Sequence, residues 1–107
     1  MVKQLRDDAV VYLDAMSTAS DRLSIIQSMV KTEGEVKALR NLLSLTVEYL
    51  TYLNLILIKS SEELEADQFR VNLVLGEVSL FIKDIYDLSV TVETEKLNKI
   101  TGVLNRA

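Results

Sequence analysis

The sequence predicts an all-α protein: an antiparallel helical bundle of three long helices plus a short C-terminal helix, completed by dimerisation. Three observations carry that expectation. Apolar residues recur in alternating steps of three and four along most of the chain. Proline is absent, so nothing interrupts a helix by lacking an amide hydrogen, and three glycines are left as punctuation. Two short polar segments, Lys31–Glu35 and Ser60–Glu63, carry helix-start signals and divide the chain into rods. A length of 107 residues fits one domain, residues 1–107.

The first helix is expected from Val2 to Val30. Val2, Leu5, Ala9, Tyr12, Met16, Ala19, Leu23, Ile26 and Val30 keep the alternating step without a slip, which describes a coiled-coil-like seam. Asp7, Asp14 and Asp21 fall opposite it, seven residues apart. At about 10 Å per seven residues they cannot share one cation, so they read as a solvated outer face.

The segment Lys31–Glu35 is the first turn. Two readings compete there: a left-handed helix end at Gly34, or a capping box from Thr32 to Glu35. The second helix follows from Glu35 to Lys59 and contains the most apolar stretch of the chain. Between Asn41 and Ile58 the one charged residue is Glu48. One stripe is Val36, Leu39, Leu43, Leu50, Leu53 and Leu57, with Thr46 at the missing step. A second is Leu42, Leu45, Tyr49, Tyr52 and Ile56. Two stripes imply contact on two sides, so this helix is expected to be the innermost. Glu48 either occupies a thin wet seam or is buried against Arg70 or Lys83. A membrane span is disfavoured by Glu48 near the midpoint, which would cost about 3 kcal/mol on insertion scales, and by the interspersed Asn, Ser and Thr.

Ser60 and Glu63 have capping-box spacing, and Glu62, Glu63, Glu65 and Asp67 suit the positive end of a helix dipole. The third helix is expected from Glu62 to Leu88 or beyond. Its seam is Leu64, Val71, Val74, Val78, Phe81, Ile85, Leu88 and Val92, with Asp67 at the polar step, and Phe69, Leu73, Leu80 and Ile82 lie off that seam. Gly76 sits within the helix at a cost of about 1 kcal/mol relative to alanine. Either a neighbouring helix approaches closely there or the glycine is a tolerated irregularity. Ser89–Thr94 is β-branched and alternating, so a weakened helix or a short extended link is expected. Leu97, Ile100 and Leu104 then resume a stripe out of register, which predicts a separate helix or a bend from Glu95 to Asn105, weakened by Gly102.

Composition narrows function more than it identifies it. Apolar residues make up 49% of the chain and charged residues 26%, which is slightly apolar for so small a domain and suggests contact with a second subunit. The net charge of −4 is spread without a basic patch, so nucleic acid is not an expected partner. Cysteine and histidine are both absent. That removes disulfides, thiolate chemistry, the commonest general base and the commonest metal ligand. The N-terminal stretch has acids where a secretory leader needs an apolar core, and a cytoplasmic location is expected. No catalytic residue, cofactor or metal site is predicted.

The leading expectation is a non-enzymatic helical protein–protein interaction module, an adaptor, small regulator or subunit of a larger complex, acting through self-association. Its partners would be a second copy of itself and an unidentified protein. Candidate interface residues are Leu42, Leu45, Tyr49, Tyr52 and Ile56 on the second helix, and Phe69, Leu73 and Leu80 on the third. The alternatives are a self-assembling coat or filament subunit, and a carboxylate-metal enzyme like the nucleotide pyrophosphohydrolases built on Glu62, Glu63, Glu65, Glu77, Asp84 and Asp87. Glu62 and Glu63 lie at a helix start rather than on a facing helix, which weakens the enzyme alternative.

Overall fold

The computed structural model describes the backbone of residues 2–106 and the side chains of residues 2–98. Three helices account for it: α1 (Val2–Ile26), α2 (Glu33–Ile58) and α3 (Ser61–Arg106). No strand occurs among the described residues. α1 stops four residues short of the expected Val30, and Met29 N–H closes the turn on the Ile26 carbonyl at 2.9 Å.

The start of α2 decides between the two readings of Lys31–Glu35. Thr32 is the N-cap, its hydroxyl accepting from the Glu35 amide at 3.1 Å while the Glu35 carboxylate accepts from the Thr32 amide at 3.3 Å. Gly34 lies inside the helix, and no described glycine takes a positive φ. The capping box wins because it satisfies two amides that a helix start otherwise leaves open. Ser60 supplies half of the same device for α3, its hydroxyl accepting from the Glu63 amide at 3.2 Å and donating to the Glu63 carboxylate at 3.2 Å. Arg6 of α1 then fastens this second turn, donating to the Lys59 carbonyl at 2.8 Å and to the Ser61 hydroxyl at 3.3 Å.

α3 runs without interruption through Ser89–Thr94 to Arg106, so the region expected as a separate C-terminal helix is its final part. Local β-propensity loses to burial here. Ser89 and Val92 face the core and are almost fully covered, and the Thr91 hydroxyl donates to the Asp87 carbonyl at 2.9 Å. β-branched residues cost only a few tenths of a kcal/mol each in a helix, which packing offsets. The Ser89 hydroxyl is buried without a partner. The continued stripe expected at Ile100 and Leu104, and Gly102, lie outside the described side chains.

Short turns make α1 antiparallel to α2 and α2 antiparallel to α3, leaving α1 and α3 parallel. Arg6 therefore meets the start of α3, while Arg22 reaches Glu93 at 3.3 Å. The helix shared by the other two is α1, not α2: it packs along both, whereas α2 and α3 touch far less. Side-chain size explains the reversal. The α1 seam contains Ala9 and Ala19, both fully buried, which let two backbones approach it. The second stripe of α2 carries the bulky Leu45, Tyr49 and Tyr52. Tyr49 meets Phe81 with ring centroids 4.9 Å apart, so the rings hold the two helices off each other.

The core follows the expected seams in part: Val36, Leu43, Leu50, Leu57, Val74 and Leu88 stay half-buried, while Ile56 of the other α2 stripe and Leu75 beside the α3 seam are buried. Leu5, Ala9, Met16, Ala19, Leu23 and Ile26 are buried on α1; Leu39, Thr46, Leu53 and Ile56 on α2; Leu64, Val71, Leu75, Val78, Phe81, Ile85 and Val92 on α3. Thr46, the polar step of the α2 seam, donates its hydroxyl to the Leu42 carbonyl at 2.7 Å and so enters the core satisfied. Asp67, the polar step of α3, is half-buried and paired with Lys59 at 3.3 Å.

The register of α2 can be tested with two leucines two residues apart. Leu53 is buried and Leu55 is exposed. Leu53→Ala is expected to cost about 2–5 kcal/mol in urea unfolding and Leu55→Ala less than about 1 kcal/mol. Equal losses would contradict the register.

Candidate interaction surface

At 100° per residue, the buried side chains of α3 occupy one half of the helix. Phe69, Leu73, Gly76 and Leu80 lie within about 40° of a common line on the opposite side. The three apolar side chains are 77%, 56% and 66% exposed. An alanine-sized side chain at Gly76 would meet nothing within 4 Å, so no helix of the same chain approaches it. The stripe is flanked by exposed charges: Glu65 and Lys83 on one side, Arg70 and Glu77 on the other. Polar residues are expected on this face of a surface helix, and an apolar row there is the departure that needs a cause.

The candidate residues of α2 sit differently. Ile56 is buried, while Leu42, Tyr49 and Tyr52 are half-buried against the core. Burial pushes the Tyr49 phenol above its ordinary range, and the charges of Glu77 and Glu48 add to the effect. Leu45 stays on the rim. The α2 stripe is therefore largely spent inside the chain, and the α3 stripe is free. Further apolar side chains are exposed elsewhere: Val10, Val11 and Ile25 on α1, and Val47 and Ile58 on α2.

Glu48 is exposed, and the ion pairs among the described residues are Arg22–Glu93 and Lys59–Asp67, so Glu48 occupies the wet face rather than a buried pair with Arg70 or Lys83. Among the described residues no group of three or more acids could hold a metal ion. The acids from Glu62 to Asp87 all belong to α3, and Asp7, Asp14 and Asp21 are exposed. α2 is long and apolar enough to cross a membrane by length and composition, with a mean hydropathy of 1.4 over eighteen residues.

A second feature lies where the α1–α2 turn meets α3. A cleft of about 420 Å³ is lined by Met29, Thr32, Glu35, Val92, Glu95 and Lys96 among others. Glu35 and Glu95 face each other there, sixty residues apart in sequence, which no local spacing could reveal. The Thr32 amide holds the Glu35 carboxyl below the usual glutamate range, against the opposing effect of burial and with a hydrogen bond from Glu95 assisting. The Glu95 carboxyl is pushed up, first because only its protonated form can donate to Glu35, then by repulsion from that charge. The arrangement sets two carboxyls with opposite shifts beside a helix cap.

Comparison with family models, with curated proteins and with solved structures finds no match for this chain.

The carboxyl pair gives stability a defined pH dependence. Glu95 binds its proton more tightly in the folded chain, so its contribution is present at low pH and is lost as pH rises through its raised folded value towards neutrality. Glu35 acts oppositely, its contribution being present above the ordinary value of 4.5 and lost as pH falls through its lowered one. Glu95→Gln keeps a donor at every pH. Melting temperatures measured from pH 4 to 8 are expected to rise for this variant at neutrality and to converge with the parent near pH 4. Parallel curves would contradict the pairing.

Proposed function

We propose that this chain is a non-enzymatic helical interaction module that works through self-association, as an adaptor, a small regulator or a subunit of a larger complex in the cytoplasm. The observation that carries the reading is the exposed apolar row on α3, set opposite the seam that builds the core. Surface area supports it. A compact monomer of this mass exposes about 6,000 Å², and the chain exposes 7254 Å², about a fifth more. Its radius of gyration is 17.6 Å, against about 13 Å for a compact domain of this length. Part of the surplus is the length of α3, and part is leucine, valine and phenylalanine that water covers poorly.

A second reading is an open structural assembly, such as a coat or filament. It is favoured by the separate apolar side chains on α1 and α2, because two unlike patches on one rod allow head-to-tail contacts that do not close.

Light scattering across a concentration series separates these readings. A closed dimer gives a plateau at twice the chain mass of 12.1 kDa. Mass that climbs without limit supports the open assembly, and a single-chain mass at every concentration overturns self-association.

A further inference from the structure

Resting on the self-association reading, we infer that the outer face of α3 pairs with the same face of a second copy, antiparallel, about a two-fold axis at the level of Val74 and Leu75. The row is self-complementary about that point. Leu73 of each copy falls opposite the partner's Gly76, a side chain entering the space where the glycine has none. Phe69 falls opposite the partner's Leu80 at either end of the same contact. A glycine at the crossing lets two helix axes approach more closely than the usual 8–10 Å.

The charges fit the same axis and no extra assumption. In an antiparallel pair, the two-fold axis brings each flank of the helix against its own copy. On one flank Arg70 lies within a turn of the partner's Glu77; on the other, Lys83 lies beside the partner's Glu65. Each pairing occurs twice, and all four side chains are exposed in the single chain. A parallel pair would instead set unlike flanks against each other and leave Arg70 turned away from the partner's Glu77. Glu62 would face the partner's Asp87 at the ends, so the helices must cross at an angle and touch over the three central turns.

This placement explains Gly76. A glycine within a helix that nothing approaches is a loss to the single chain, and the second copy supplies the missing neighbour. It also fixes the occupant: a second copy carries the matching glycine, leucine and charges on one face.

Sedimentation equilibrium of the full chain and its variants tests the proposal. Gly76→Gln leaves the fold intact, since the position opens on free space, and is expected to raise the dimer dissociation constant at least 100-fold, with helical content by circular dichroism unchanged. Arg70→Glu and Glu77→Arg are each expected to raise it about tenfold, and the double variant to return it to within threefold of the parent. Spin labels on single cysteines then give the direction: about 37 Å between copies for Glu62→Cys and under 20 Å for Asn72→Cys, from 1.5 Å per residue about the axis.

A parent dimer that is indifferent to Gly76→Gln and to both charge reversals overturns the α3 pairing while leaving self-association standing. A chain that is monomeric at all concentrations overturns both. Short distances at both labels overturn the antiparallel order.

Discussion

The fold depends on one narrow seam along α1. Ala9, Met16, Ala19 and Leu23 are buried there, and both other helices lean on it. Small residues set the distance of approach, and Met16 and Leu23 fill the space that remains. Burying such a side chain contributes about 1.5–3 kcal/mol, and here each one is covered from two directions at once. α2 and α3 have no equivalent seam with each other. Their contact is led by Tyr49 on Phe81, a pair of rings that props as much as it joins.

That asymmetry explains which parts of the protein could be read from the sequence. The α1 seam was legible because its steps of three and four never slip: Leu5, Ala9, Met16, Ala19, Leu23 and Ile26 are buried, and Val2, Tyr12 and Val30 are half-buried. The helix starts at Thr32 and Ser60 were legible too, although at Thr32 only the geometry decides between a cap and a glycine turn, and at Ser60 only half of the box forms. The central position of α1 was not legible. Counting apolar residues favours α2, but the count says how much surface wants cover, not how close a neighbour can come. The two alanines of α1 carry the second piece of information. Ser89–Thr94 reads as either a weakened helix or an extended link for a related reason: its local pattern is that of a strand, and only the burial of Ser89 and Val92 within a long α3 decides for the helix. The Glu35–Glu95 pair joins residues sixty apart and leaves no trace in local spacing.

The candidate surface divides along the same line. Leu42, Tyr49, Tyr52 and Ile56 looked like surplus apolar surface, and the structure sets them against the core. Phe69, Leu73 and Leu80 were surplus by the same reasoning and remain exposed, because a helix facing α1 on one side has no second neighbour on the other. The proposed function therefore rests on what α3 leaves uncovered. The arrangement couples the two roles of that helix: one face completes the core, and the opposite face, with Gly76 at its middle, is offered outward.

Native-state hydrogen exchange tests most directly whether α1 is the element on which the others depend. If it is, the amides from Ala9 to Leu23 exchange only through global unfolding and rank among the slowest in the chain. Exchange of those amides through a local opening, with α2 and α3 still protected, would contradict the account.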